Sequence, residues 1–184
     1  ESDMILLPEA DSAVMDPFFE DATLNLRCDV IEPSTMQGYE RDPRSLAKRA
    51  EAYLKSTGVG DTAYFGPENE FFIFDDVRFD QSAASGFYAI DSIEAAWNRG
   101  REESPNLGHK IRFKEGYFPC APQDQTADLR GEMMQTLIDC GIDVECHHHE
   151  VSTAGQAEID IRFNTLVSMA DTMMTYKYII KNVA

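Results

Sequence analysis

Basic side chains are scarce in this 184-residue sequence: 16 Lys and Arg stand against 33 Asp and Glu, a formal net charge of −17. Such a surface repels nucleic-acid phosphates and anionic lipid headgroups out to a Debye length of about 8 to 10 Å, so neither is expected as a partner. Long apolar runs are missing too. The strongest, Met4-Ile5-Leu6-Leu7 and Phe71-Phe72-Ile73-Phe74, fall far short of the roughly 20 residues that a membrane-spanning helix needs, and no basic-then-apolar signal segment opens the chain. Cysteine is sparse: Cys28, Cys120, Cys140 and Cys146 contain no Cys-x-x-Cys pair and read as buried or free thiols, which fits a reducing, cytoplasmic setting. There is no Gly-x-x-x-x-Gly-Lys-Ser/Thr phosphate loop, no Gly-x-Ser-x-Gly elbow and no Gly-x-Gly-x-x-Gly fingerprint, so a nucleotide would need a different cradle.

What is present is enough for a core. Hydrophobic residues make up 43% and aromatics 10%, more than a disordered acidic chain carries. A chain of this size buries roughly 70% of its unfolded surface, which supports one domain or one and a fraction. Glu1 opens without a methionine and runs into apolar residues, and the spacing of Leu166, Met169, Met173, Tyr176 and Ile180 predicts a helix with no stop signal before Ala184. The sequence therefore reads as part of a larger protein.

Residues 1–33 read as strand material, with Thr23 to Cys28 alternating at period two. Asp42 is placed to cap a helix with Pro43 in its first turn and Gly58 past its end. A strand is expected from Glu68 to Phe74, because Gly66-Pro67 interrupts the segment before it. Residues 78–126, rich in Gly, Ser, Pro and Asn, read as loops, with a small helical cluster around Ile93 and Trp97 as an option. A second helix is expected over Ala127 to Cys140 with Gly141 as its stop, and strands over 143–146 and 155–163. Alternating strands and helices with long loops favour an α/β or α+β sheet domain.

Glu68 and Glu70 share one face of an extended strand, about 7 Å apart, where at an effective dielectric near 20 they repel by roughly 2.4 kcal/mol. A cation or a cationic substrate would offset that; a strand end open to water is the plainer alternative. Glu158, Asp160 and Arg162 line the polar face of a second strand, on which Glu158 is either a ligand or an internal partner of Arg162. The run His147-His148-His149 is not a zinc site of three imidazoles, because neighbouring strand residues point to opposite faces. For the same reason Glu145 and Glu150 share a site only if the strand bulges or ends near the histidines. Carboxylate oxygens favour Mg²⁺ or Mn²⁺ over zinc. Tyr117, in an aromatic loop, reads by itself as packing.

The segment Phe65-Gly66-Pro67-Glu68-Asn69-Glu70-Phe71-Phe72 resembles the glutamate-x-glutamate strand of type I glutamine synthetases. The run from His147 to Glu158 resembles that family's second motif more closely still. Similarity extends to Asp16-Pro17-Phe18-Phe19, to the stretch from Gln37 to Arg44, and to Gly116-Tyr117-Phe118-Pro119, so it covers nearly the whole chain. Asn69 and Ala157 depart from the common pattern without removing a carboxylate.

The resemblance implies an α+β fold: a partial catalytic domain at 34–184, its antiparallel sheet lined by carboxylates and packed by helices, preceded at 1–33 by the remnant of a small β-grasp-like domain. It implies ligation of L-glutamate and ammonia with ATP through γ-glutamyl phosphate, with two or more Mg²⁺ or Mn²⁺ ions. Glu70, Glu150 and Glu158 correspond to ligands of the metal nearer glutamate, and Glu68 to a ligand of the metal nearer the ATP phosphates. Glu145 and the backbone of Ile161, Arg162 and Phe163 correspond to ATP contacts, and Tyr117 to a residue near the ammonium pocket. A dodecamer of two hexameric rings with shared active sites follows from the same resemblance, as does inactivity of this segment alone. A related ligase that joins glutamate to another amine, and a non-catalytic acidic cation-binding scaffold, are the alternatives.

Overall fold

The computed structural model describes residues 3–98 and 108–184; the part of the expected 78–126 loop that falls at 99–107 lies outside them. In chain order the elements are β1 (Ile5–Met15), β2 (Leu24–Glu32), β3 (Gln37–Gly38), α1 (Pro43–Thr57), β4 (Tyr64–Phe65), β5 (Glu70–Phe72), β6 (Asp76–Gln81), β7 (Gly86–Asp91), α2 (Ala127–Asp139), β8 (Val144–His149), β9 (Gln156–Ile161), β10 (Asn164–Thr165) and α3 (Leu166–Val183). The result is a mixed α/β chain with antiparallel pairings, divided into two compact units. None of the described helices is long and apolar enough to cross a membrane.

The first unit comprises 1–67, 136–143 and 161–182. Its β1 and β2 pair antiparallel from Ile5 opposite Ile31 to Met15 opposite Leu24, with an irregularity between Glu9 and Val14, and β3 adds to the edge of β2. Helix α1 starts where local chemistry requires: Asp42 is extended and its carboxylate accepts from the Arg44 and Ser45 N–H groups, Pro43 follows, and Gly58 closes the helix at φ 70°. Arg44 then reaches the carboxylates of Asp29 and Asp171, the latter at 2.9 Å, while Lys48 lies 2.6 Å from Asp29. Helix α3 buries Met169, Tyr176, Ile179 and Ile180, and Tyr178 donates to Asp16 at 2.7 Å.

The second unit comprises 68–135, 144–160 and 183–184 and carries the three-stranded sheet in the order β5-β9-β8. Ala157 and Ile159 are fully buried along β9, the central strand, and Ala95, Ile111 and Ala154 form a small cluster of their own. Three expectations are corrected here. The stretch 78–126 is not all loop, since β6 and β7 form a hairpin from Asp76 opposite Asp91 to Gln81 opposite Gly86. Its Val77, Phe79, Phe87 and Tyr88 are all exposed, so no buried face imposes the alternation by which a strand is read. Around Ile93 and Trp97 there are turns rather than a helix, and Trp97 Nε1 donates to the Ile90 carbonyl at 3.1 Å. The strand expected from Glu68 is shorter, leaving Glu68 outside β5.

Burial pushes the Asp29 carboxyl up, but the hydrogen bonds and charges of Lys48 and Arg44 outweigh it and hold the group below the usual range. A depressed folded value means that the stabilisation is complete above the unfolded value near pH 4 and is lost as the pH falls through the lower folded value. Asp29→Asn is therefore expected to lower the urea midpoint at pH 7, with the difference from the parent shrinking below about pH 4. A difference constant from pH 7 to pH 2 would contradict this.

Candidate metal centre

Register brings the acids together. Strands β5 and β9 pair so that Glu70 stands directly opposite Glu158, Phe71 opposite Ala157 and Phe72 opposite Gln156. Directly paired residues project to the same face, with Cβ atoms about 4.5–5.5 Å apart, and like charges there repel. The Gln156 side-chain amide donates to Glu70 and accepts from the Ser152 N–H at 2.6 Å, which ties the exposed Glu70 to the turn after β8.

Glu150 joins them because β8 ends at His149. Its N–H donates to the Gln156 carbonyl at 2.9 Å, and one of its carboxylate oxygens accepts from the Val151 N–H at 2.6 Å. β8 does end near the histidines, the condition for Glu145 and Glu150 to share a site, but Glu145 remains exposed within the strand. His148 lies between: its Nδ1 is 3.5 Å from Glu150 Oε1 and its Nε2 is 3.5 Å from Glu158 Oε2. Ligand atoms of His148, Glu150 and Glu158, all three buried, lie within 4.8 Å of one another. Burial, followed by the neighbouring Asp160 and Glu150 carboxylates, pushes Glu158 up to about 8. Of the two options for Glu158, a pair with Arg162 is not seen among the described residues. Four residues along a strand is about 13 Å, β9 ends at Ile161, and Arg162 instead lies over the Phe163 ring.

The three histidines take three roles, as alternation requires. His147 Nδ1 accepts from Arg130 Nε at 3.3 Å, and Arg130 forms a two-pronged bridge to Asp124 at 3.0 and 2.6 Å. His149 points to Glu94, its Nε2 lying 2.9 Å from Glu94 Oε2 while its Nδ1 faces the Gly116 and Glu150 carbonyls at 2.7 and 2.9 Å. Both nitrogens meet acceptors, which assigns an imidazolium. Glu94 also accepts from the Gln125 N–H at 2.7 Å and the Gly155 N–H at 2.9 Å. Burial alone would raise the Glu94 carboxyl and lower the His149 imidazole; their mutual hydrogen bond, with those backbone groups, reverses both shifts.

Two glycines permit this closeness. A Cβ on Gly116 would stand 2.4 Å from the Glu150 carbonyl oxygen, and one on Gly155, at φ 75°, would stand 2.2 Å from that of Ile73. Glu94, His148, His149 and Asp160 were not identified as functional residues from the sequence. For Glu94 no local signal exists, since its partner lies 55 residues away.

Glu68 and Glu145 are not among the ligand atoms that cluster with His148. Glu68 is exposed ahead of β5, and Glu145 is exposed on β8, on the opposite face to His148. Tyr117 is exposed and meets the His148 ring edge-on, 5.6 Å between centroids, because the Lys114, Gly116 and Phe118 N–H groups bond to the Ser152, Val151 and His149 carbonyls. Ile161 is buried; Arg162 and Phe163 are exposed, with the Arg162 N–H bonded to the Asp143 carbonyl and Phe163 edge-on to Tyr64. Chemically, the cluster is an oxygen-rich acceptor set. Among the described residues no Lys or Arg pairs with Glu150 or Glu158, so the donors fit a hard divalent cation.

Removing one partner of a buried charge pair strands the other, which typically costs about 3–5 kcal/mol. Glu94→Ala is expected to lower unfolding stability by about that amount, measured by urea denaturation. A loss below about 1 kcal/mol would show that the pair is not structural.

Residues 40–184 match the family model for the catalytic domain of glutamine synthetase. The glutamine synthetase of Methylococcus capsulatus (strain Bath) is 62% identical across the whole chain, and that of Escherichia coli K12 is 56% identical. A Plasmodium falciparum glutamine synthetase structure superimposes with a TM-score of 0.86 over 99% of the chain at 27% identity, the chain covering 36% of it. The chain spans 39% of the length of the two bacterial relatives. With 145 of its residues inside the matched region, this chain belongs to the glutamine synthetase catalytic-domain family.

Proposed function

We propose that this chain supplies the carboxylate side of the active site in a longer protein that ligates L-glutamate and ammonia to L-glutamine with ATP. The observation that carries the reading is the register of β5 on β9, which sets Glu70 against Glu158 beside Glu150 in a member of this family. Glu70, Glu150 and Glu158 would hold the Mg²⁺ or Mn²⁺ ion nearer glutamate, and Glu68 would belong to a second ion nearer the ATP phosphates. Such ions supply neutralisation of the charge on transferring phosphoryl oxygens, the task a phosphate loop performs elsewhere.

The chemistry has two steps. A glutamate γ-carboxylate oxygen attacks the γ-phosphorus of ATP and ADP leaves, giving γ-glutamyl phosphate. Ammonia, formed when ammonium loses a proton, attacks the γ-carbonyl carbon, and inorganic phosphate departs. This chain's residues place and hold the reactants. Glu70 is fixed by Gln156, Glu150 by the Val151 N–H, and the turn between them by the Glu94–His149 pair. Tyr117 is assigned to the ammonium pocket, and Glu145 with the backbone of Ile161, Arg162 and Phe163 to ATP. A small β domain ending at residue 33, a dodecamer of two hexameric rings with shared active sites, and a cytoplasmic location complete the proposal, on the strength of family membership.

In the complete protein, Glu70→Gln and Glu158→Gln each remove a charged oxygen ligand worth several kcal/mol at the transition state. Glutamine formation is expected to fall by about a thousandfold in each, with an unchanged far-ultraviolet circular dichroism spectrum. Folded variants that retain activity within about tenfold would exclude the assignment and favour a non-catalytic scaffold.

A further inference from the structure

We propose that Cys146, His148 and Asp160 form a second cation site, selective for a zinc-class ion, on the face of β8 and β9 that carries Glu158. Strand alternation puts residues 146 and 148 of β8 on one face, and their contacts with Glu158 and Asp160 put those residues of the neighbouring β9 on the same face. One ligand atom from each of Cys146, His148 and Asp160 lies within 4.8 Å of the other two. A tetrahedral ion with bonds of about 2.0–2.3 Å holds its ligand atoms about 3.3–3.8 Å apart, so small side-chain movements bring these three onto one ion. Cys146 Sγ is 3.2 Å from Asp160 Oδ2, and His148 Nε2 is 4.0 Å from the same oxygen.

The imidazole is oriented as a ligand. Its Nδ1 lies 3.3 Å from the His149 carbonyl oxygen, which assigns the proton to Nδ1 and leaves the Nε2 lone pair facing the acids. Phe118 stacks on the ring at 4.6 Å and Tyr117 closes on its edge, so the direction of Nε2 is fixed by packing. Cys146 is exposed, which gives an ion a route in, and three protein ligands leave a fourth position open to water.

Sulfur separates this site from the neighbouring carboxylate cluster. Mg²⁺ demands oxygen ligands and dehydrates reluctantly, whereas a thiolate and an imidazole select zinc and its congeners. On binding, the thiol gives its proton to solvent and the sulfur lone pair goes to the metal. Because His148 belongs to both clusters, an ion held by Cys146 draws the imidazole toward Asp160 and disturbs the surroundings of Glu158. Zinc therefore inhibits the magnesium-supported reaction. That consequence, unlike the binding itself, rests on the proposed ligase function.

The test is a Cd²⁺ titration of the complete protein, followed by sulfur-to-metal charge-transfer absorption in the ultraviolet. A band at one Cd²⁺ per chain is expected in the parent and in Cys120→Ala, which removes the other exposed thiol of the described segment. It is expected to vanish in Cys146→Ser, and Asp160→Asn should weaken binding by at least about tenfold. A band that survives in Cys146→Ser, or disappears in Cys120→Ala, overturns the site. A parent protein that shows the band yet makes no glutamine with Mg²⁺ overturns the ligase reading and leaves the site standing. If the protein is active, the zinc concentration for half-inhibition should rise at least about tenfold in Cys146→Ser, relative to its own zinc-free rate; an unchanged value overturns the inhibitory role.

Discussion

Glu70 and Glu158 face each other across β5 and β9, with Glu150 and Asp160 close by, and a protein does not hold that arrangement without a reason. Cross-strand carboxylates repel, and burial deepens the penalty because less water screens them. Proton uptake is one relief, which is why Glu158 sits near 8. A divalent cation is the other. It turns a set of mutually repelling acceptors into a coordination shell, and ligand atoms within 4.8 Å of one another have the spacing for it.

The surrounding polar network keeps the carboxylates from moving apart. Glu94 and His149 form a buried charge pair to which the backbone of Gly116, Gln125, Glu150 and Gly155 is bonded, so segments distant in sequence are fixed around one imidazolium. Two glycines allow the backbone to approach where a side chain would collide. A preorganised oxygen site needs this support, since a ligand displaced by about 1 Å loses much of its effect.

Where structure follows from local chemistry, it was legible in the sequence. Helix α1 is bounded by Asp42, Pro43 and Gly58, each acting within a turn of its own position, and α2 stops before Gly141. The separation of His147, His148 and His149 followed from the two-residue period of a strand. The β6–β7 hairpin was missed because its apolar residues lie exposed, with no buried face to impose alternation. From its own strand Glu158 is open to pairing with Arg162, but burial, Asp160 two residues along β9 and Glu150 in the adjoining turn decide its state. Glu94 was invisible because a lone acid in a turn acquires its meaning only from a histidine brought to it by folding. The carboxylates became one site only through family resemblance, since pairing register is a tertiary property.

On the proposed function, a divalent cation rather than protein charge neutralises this cluster. Thermal unfolding of the complete protein and of its Glu158→Gln variant, each with and without Mn²⁺, tests it most directly. Without metal, removing a repelling carboxylate should make the variant the more stable of the two; with Mn²⁺ the order should reverse, because the ion stabilises only the intact ligand set. A variant destabilised equally in both conditions would contradict the account.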